Sequence, residues 1–320
     1  MKKIAVLTSG GDAPGMNAAV RAVVRTALFN NMEVMGVYRG YNGLINGDLE
    51  PMTLRSVSEI IHRGGTVLYT ARCPEFRTEE GILKAVETCK KNGIEGVVVI
   101  GGDGSFRGAQ DLSRHGIPCI GIPCTIDNDI ACCDRTIGYD TAMNTAMELV
   151  DKLRDTSQSH DRCSVVEVMG RHAGYIALNV GIAVGAISIL VPEIPYDVEK
   201  DVIDRILATA KTGKKHFIVM VAEGVGGVSE LAHHIEKQTG FETRGTILGH
   251  VQRGGSPTVR DRVLASRLGD EAVQLLLAGK SNRVVTVRND QITDYDIEEA
   301  LAMKKTLDTN LYRMAHEISL

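Results

Sequence analysis

The chain has no tryptophan, few aromatic residues of any kind (4%), and no surplus of basic charge. Its 36 Lys and Arg are outnumbered by 40 Asp and Glu, giving a net charge of −4 and a pI near 6.2. That balance, with no interleaving of basic and aromatic residues, argues against a nucleic-acid-binding surface. Basic residues can still cluster locally, so a small anionic substrate stays open. The seven cysteines (Cys73, Cys89, Cys119, Cys124, Cys132, Cys133, Cys163) contain no C-x-x-C pair. An odd count without framework spacing implies reduced thiols and a cytosolic setting. There is no H-E-x-x-H, no zinc spacing and no nucleophile elbow. Low-complexity tracts, long linkers and strong internal repeats are lacking too.

Long hydrophobic runs are also scarce. The longest uncharged stretch, Ala173 to Pro192, is interrupted by Asn179, Gly181 and Gly185. It falls short of the ~20 predominantly apolar residues of a membrane span. It reads instead as a buried helix followed by a buried strand, Ile187 to Val191. The chain opens Met-Lys-Lys and runs straight into Ile4–Leu7, so no cleavable leader is expected.

What is present is glycine, 34 of them in 320 residues, and an alternation of apolar runs with helical patterns. Ile4–Leu7, Val34–Tyr38, Val97–Ile100, Cys119–Ile122, Ser164–Val168, Ile187–Val191 and His216–Ala222 read as strands. Pro14–Asn30, Ser105–His115, Thr141–Arg154, Gly174–Val184 and Ser229–Thr239 read as helices. Apolar strands separated by helices predict an α/β fold with mostly parallel sheets covered on both faces. The length suits one large or two medium domains, with a boundary on the helix Thr141–Arg154. In such sheets ligands sit beyond the carboxyl ends of the strands. Ser9-Gly10-Gly11-Asp12, Gly101–Ser105, Gly170 and Gly224–Gly227 all fall there.

Two of these ends carry chemistry. In Gly101-Gly102-Asp103-Gly104-Ser105 the glycines let backbone N–H groups approach phosphates, and Asp103 can hold Mg²⁺. The bland reading is a turn with Asp103 capping the next helix. Twenty residues on, Thr125-Ile126-Asp127-Asn128-Asp129 places two carboxylates beside a hydroxyl. An acceptor alcohol must lose its proton as a phosphoryl group arrives, and Asp127 is the candidate base. Asp129 would steer the metal or raise its neighbour's pKa by like charge. The bland reading there is an Asx turn. Together the two predict phosphoryl transfer from a nucleotide to a sugar hydroxyl.

Weaker signals accompany them. Gly10–Gly15, with Pro14 in the first turn of the helix, is a ready anion site. Arg162, Arg171-His172, Arg244 and His250–Gly255 put basic side chains among glycines, which suits a phosphorylated metabolite. Arg21 and Arg25 share a helix face, either as a solvated stripe or as a second phosphate site. Two stretches are decoys. Gly279-Lys280-Ser281 follows a leucine-rich helix with Gln274 where a P-loop needs glycine, and Gly224–Ser229 ends on serine where a dinucleotide fingerprint needs glycine.

At these residues the chain resembles the bacterial 6-phosphofructokinases, over essentially its whole length. The matching motifs are Leu7–Asn17, His62–Thr66, Gly101–Ser105, Thr125–Asp129, Val168–Gly174 and Leu248–Pro257. The resemblance implies two Rossmann-like three-layer domains with mostly parallel sheets. It implies a larger, ATP-binding domain of 1–140 plus about 256–305, and a smaller, sugar-phosphate-binding domain of about 141–255 plus 306–320. It implies that Gly11, Arg72, Cys73, Gly102, Asp103, Gly104 and Ser105 contact ATP, with Asp103 serving Mg²⁺. Asp127 would deprotonate the 1-hydroxyl of fructose 6-phosphate, helped by Thr125 and Asp129. Arg72 and Arg171 would face the transferring group. Met169, Gly170 and Glu223 would hold the sugar, and Arg162, Arg244, His250 and Arg253 its 6-phosphate, with Arg162 and Arg244 reaching in from a neighbouring subunit of a homotetramer. Arg21, Arg25, Arg154 and Lys214 match an effector pocket for ADP or phosphoenolpyruvate, although Ile187 stands where the family carries glutamate and Thr212 where it carries a basic residue.

The family's pyrophosphate users carry a second aspartate at the position of Gly104 and a lysine at that of Cys124. A bare Gly104 and a neutral Cys124 therefore favour ATP. Pyrophosphate-dependent transfer is the alternative within the class, and a non-catalytic nucleotide or sugar-phosphate binding module the alternative outside it. Kinases of NAD or diacylglycerol lipid share a Gly-Gly-Asp-Gly turn but not the Thr125–Asp129 and Met169–His172 motifs.

Overall fold

The fold is taken from a computed structural model, which describes residues 1–319. In chain order the elements are β1 (Lys3–Thr8), α1 (Met16–Phe29), β2 (Glu33–Val37), α2 (Tyr41–Asn46), β3 (Leu49–Met52), α3 (Glu79–Lys91), β4 (Gly96–Gly101), α4 (Asp103–Arg114) and β5 (Cys119–Pro123). Then follow α5 (Tyr139–Ser159), β6 (Cys163–Val168), α6 (Tyr175–Ala183), β7 (Ser188–Leu190), α7 (Asp204–Ala210), β8 (Phe217–Ala222), α8 (Val228–Thr239) and β9 (Thr243–Ile247). The chain closes with α9 (Val259–Leu277), β10 (Arg283–Arg288), β11 (Gln291–Asp296), α10 (Ile297–Ala302) and α11 (Thr309–Ile318). It divides into two compact units. The first gathers Met1–Ile126, Ile130–Thr141 and Arg253–Lys305; the second gathers Asp127–Asp129, Ala142–Gln252 and Thr306–Leu320.

The first unit is built on a seven-stranded sheet of order β11-β10-β5-β4-β1-β2-β3. Its central strands are parallel, and β3 and β11 run antiparallel at the two edges. β1 and β4 are buried along almost their whole length, as strands covered on both faces must be. Chain order reverses between β1 and β4, which makes their carboxyl ends the topological switch point where α/β sheets bind ligands. The Ser9 N–H bonds the Ile100 carbonyl across that point at 2.9 Å, so the Ser9–Asp12 and Gly102–Ser105 turns lie side by side.

The second unit has a four-stranded, all-parallel sheet of order β7-β8-β6-β9. Its core packs Val165, Phe217, Val219 and Val221 against Val202, Ile206, Val228 and Ile235. The Ala173–Pro192 stretch is α6 followed by β7 inside this unit, and among the described residues no helix is long and apolar enough to cross a membrane.

Two local expectations need correction. The first helix starts at Met16, so Pro14 precedes the helix instead of opening it. The cap is Gly15, at φ 109°, where an added Cβ would meet Ile137 Cγ2 at 2.6 Å, so neither the backbone angle nor the space tolerates a side chain. Asp103 does not cap the following helix. Gly102 is the cap, and Asp103 is the first helical residue.

A buried carboxylate holds this end of the first unit. Asp261, 1% exposed, accepts the Gly138 N–H at 3.0 Å, the Thr141 N–H at 2.8 Å and the Thr141 hydroxyl at 2.5 Å. Thr258 completes the knot, donating its hydroxyl to Asp140 at 2.7 Å. Charge-assisted bonds of this kind are the stronger ones, and their donors are buried. Asp261→Ala is expected to lower unfolding free energy by roughly 2–4 kcal/mol. Urea denaturation, read as a drop in midpoint at unchanged slope, checks this.

Candidate active site

The donor side of the site is assembled in the first unit by helix starts that lack side-chain caps. There α1, α2 and α4 each begin after a glycine with no side-chain cap bond, as α6 and α8 do in the second unit. By contrast α3, α9, α10 and α11 are capped by Thr78, Thr258, Asp296 and Asp308. An uncapped start leaves backbone N–H groups open to an anion and the positive end of the helix dipole facing it. At α4 the consequence is sharpest. An added Cβ on Gly102 or Gly104 would meet nothing within 4 Å, whereas one on Gly101 would strike Ser105 Oγ and the Ser9 carbonyl at 2.5 Å. Gly101 is therefore glycine for packing, while Gly102 and Gly104 border open space. Asp103 is exposed and Ser105 buried. The set fits a polyphosphate with its metal: a helix start without a side-chain cap, room beside it, and one exposed carboxylate.

The rest of the donor side is held by long-range hydrogen bonds. Thr8, at the end of β1, donates to the Tyr69 carbonyl at 2.9 Å, and Thr70 donates to the Gly10 carbonyl at 2.8 Å. Asn17 bonds Arg63, Gly64 and Val67. These contacts carry the chain to Arg72, which is exposed, and to Cys73, the one cysteine not buried. Tyr41 stacks on Phe76 (4.1 Å between centroids) and donates its hydroxyl to the Ser105 carbonyl at 2.5 Å, bracing the first turn of α4. Cys124 is buried, and burial, reinforced by the Asp261 and Asp12 carboxylates, pushes its thiol far above the usual range. It is therefore neutral, as the sequence implies for a nucleotide user.

Arg253 lies on this donor turn. Its Nη1 would be 2.5 Å from a Cβ on Gly11, and it donates to the Asp12 carbonyl at 3.3 Å. Gly11 is bare because a guanidinium rests on it, a reason the sequence does not disclose.

The acceptor side is built in the second unit. Asp127 is buried, 6% exposed, and Asn128 beside it sits at φ 53°. Asp129 is half-buried and near Tyr175, whose hydroxyl is pushed up to about 12, chiefly by burial and then by the Glu193 and Asp129 carboxylates. Thr125, in the first unit, is tied to the strand-end bridge by its N–H to the Ile137 carbonyl, and its own carbonyl accepts the Thr136 hydroxyl. After β6 the turn Met169-Gly170-Arg171 is pinned from two sides. Glu223 accepts the Gly170 and Arg171 N–H groups at 3.2 and 2.8 Å, and Gln252 accepts the Met169 N–H at 2.8 Å. Arg171 is held at φ 58°, an unusual conformation for a long side chain and one that clusters at functional sites. Arg162 and Arg244 converge on Glu242 at 2.8 and 2.7 Å, which holds that carboxyl below its usual range. His250 is exposed. Glu242, Gln252 and Tyr41 were not singled out by the sequence. Gln252 and Tyr41 are marked only by partners far away in the chain, and Glu242 by Arg162, 80 positions before it, as well as by nearby Arg244.

The four effector candidates fall into two pairs. Arg21 and Arg25 neighbour one another on α1; burial, then Arg25, lowers the Arg21 pKa. Arg154 neighbours Lys214 in the second unit; burial, then Arg154, lowers the Lys214 pKa. Ile187 is buried in the core of that unit.

The arrangement is that of a phosphoryl-transfer enzyme, and the chain belongs to the phosphofructokinase family, which it matches over residues 3–276. It is 59% identical over 320 residues, the full length of both chains, to the ATP-dependent 6-phosphofructokinases of Bacillus thuringiensis (strain Al Hakam) and Bacillus anthracis (strain A0248). It superposes on the phosphofructokinase of Saccharomyces cerevisiae with a TM-score of 0.88 at 35% identity, covering 100% of this chain and 48% of that one. The Pichia pastoris enzyme in its T-state gives a TM-score of 0.88 at 38% identity, over 100% of this chain and 37% of that one. The chain thus spans half or less of the yeast chains' length.

Gly104→Asp tests the donor turn. A carboxylate in the open space at the start of α4 would repel phosphates at close range. The KM for ATP is expected to rise at least about tenfold, the effect of ~1.4 kcal/mol, with the sugar-phosphate KM little changed in steady-state assays.

Proposed function

We propose that the uncapped donor turn and the buried Asp127 act in one reaction. The chain is an ATP-dependent kinase that transfers the γ-phosphoryl group of ATP to the 1-hydroxyl of fructose 6-phosphate. The products are fructose 1,6-bisphosphate and ADP, and the reaction is a step of glycolysis. The observation that carries the donor half is the open space beside Gly102 and Gly104 at an uncapped helix start.

In this reading Gly11 and Gly102 to Ser105 contact the nucleotide's phosphates, and Arg72 and Cys73 line the same side. Asp103 would hold Mg²⁺, which when bound supplies charge neutralisation at the phosphates. Arg72 and Arg171 meet the charge of the group in transit. Asp127 takes the proton of the attacking hydroxyl, with Thr125 and Asp129 placing it. Met169, Gly170 and Glu223 orient the sugar. Arg162, Arg244, His250 and Arg253 bind the 6-phosphate, and Glu242 keeps two of these arginines in place until the phosphate arrives.

The same reading makes the protein a cytoplasmic homotetramer in which Arg162 and Arg244 serve a neighbouring subunit's site. Arg21, Arg25, Arg154 and Lys214 would take an anionic effector. Ile187, being apolar and buried, can neither bind a metal nor repel a carboxylate. ADP and phosphoenolpyruvate are therefore expected to shift half-saturation by fructose 6-phosphate only weakly and in a similar sense. Strong, opposite shifts of a sigmoidal curve would refute this.

Asp127→Asn keeps the size of the side chain and removes the base. Turnover is expected to fall ~10²–10⁴-fold, the range for losing a positioned general base, with a modest change in sugar KM. Near-normal turnover in that variant would reject the assignment.

A further inference from the structure

Asp261 is the third residue of α9, yet its carboxylate is not turned to its own helix. Thr258 caps α9 by accepting the Asp261 N–H at 3.3 Å. The Asp261 side chain reaches instead to Gly138 and Thr141, 123 and 120 positions earlier. There it holds two backbone N–H groups and a hydroxyl. An apolar residue could fill the same space but would leave those buried donors open.

Gly138 ends the segment that fixes Thr125. The Ile137 N–H bonds the Pro123 carbonyl and the Thr125 N–H bonds the Ile137 carbonyl, both at 3.1 Å. The Thr136 hydroxyl donates to the Thr125 carbonyl at 2.6 Å. Both backbone polar groups of Thr125 are therefore held by the two residues that lead into Gly138. The same segment meets the first donor turn. Gly138 sits at φ 99°, and an added Cβ there would meet Ala13 Cβ at 2.7 Å. An added Cβ on Gly15 would meet Ile137 Cγ2 at 2.6 Å and Asp261 Cβ at 3.6 Å. Ile137 and Gly138 are thus wedged between the Ala13–Gly15 turn and the end of β5, with Asp261 against them. Cys124, just before Thr125, is close enough to feel the carboxylates of both Asp12 and Asp261.

We infer that Asp261 is a positioning residue for phosphoryl transfer: by gripping Gly138 and Thr141 it holds Thr136 and Ile137 on Thr125 and sets that residue against the Ala13–Gly15 turn. It touches neither substrate. The inference rests on the reading of Thr125 given above and adds the support behind it. A shift of about 1 Å in a reacting group can cost ~10²-fold in rate. Turnover, more than binding, therefore reports the loss of this support.

Two variants separate positioning from stability. Asp261→Asn keeps the size but turns a donor toward one of the donors it must hold. Thr258→Ala removes the α9 cap and the bond to Asp140, and leaves the carboxylate on Gly138 and Thr141. For each, the urea midpoint is measured, and kcat and both KM values are determined well below the melting midpoint. Both variants should lose stability. Only Asp261→Asn should lose turnover, by about 10–100-fold. Its KM values for ATP and fructose 6-phosphate, and the kcat of Thr258→Ala, should stay within about threefold of wild type. A wild-type kcat in folded Asp261→Asn, or an equal loss of kcat in Thr258→Ala, would overturn the inference. If Asp261→Asn does not fold, Thr141→Val decides, because it removes one of the three bonds and keeps the other two. A lowered midpoint there with an unchanged kcat would make Asp261 a stability residue alone. Thr125→Val is the control on the underlying reading. A wild-type kcat in that variant would sink the role of Thr125, whereas a lowered one beside an unaffected Asp261→Asn would sink only the role of Asp261.

Discussion

The structure depends on one constraint: the start of α4 is left without a side-chain cap at the point where β1 and β4 end side by side. A side-chain cap adds an acceptor for the first N–H groups of a helix; Gly102 has no side chain to supply one, and only its carbonyl turns back, to the Ser105 N–H at 2.9 Å. The helix dipole behind that end and the room beside Gly104 suit it to an anion. Everything near it serves that end. Gly101 is bare so that Ser105 and the Ser9 carbonyl can close up, and Tyr41 braces the same turn from below.

The acceptor side follows a different logic. Its groups are held by carboxylates and an amide instead of being left open. Glu223 and Gln252 set the Met169–Arg171 turn, against the backbone preference of Arg171. Glu242 keeps Arg162 and Arg244 together. Pre-setting of this kind lowers the entropy that binding must overcome.

Much of the frame was legible in the sequence. Ile4–Leu7, Val97–Ile100 and Cys119–Ile122 are apolar without alternation, so they read as doubly covered parallel strands, and the glycines after them mark the ligand end. Other elements left no such trace. The strand β9, Thr-Arg-Gly-Thr-Ile, is a half-exposed edge with no apolar run. In the β10–β11 hairpin the second strand, Gln-Ile-Thr-Asp-Tyr-Asp, is mostly polar and adds an antiparallel edge to a parallel sheet. The supporting residues were hidden for another reason: their meaning lies in distant partners. Gln252 meets Met169 from 83 positions away, Asp261 meets Thr141 from 120, and Tyr41 meets Ser105 from 64. A carboxylate in Asp261 looks like a helix-start residue until the fold buries it.

The most direct measurement is the initial rate of Mg²⁺-dependent fructose 1,6-bisphosphate formation from fructose 6-phosphate, with ATP and with pyrophosphate offered separately. An open, uncharged turn at Gly104 beside a neutral Cys124 predicts turnover with ATP, and at least ~100-fold less with pyrophosphate, a gap of about 2.7 kcal/mol. Equal or faster turnover with pyrophosphate would contradict the account at its base.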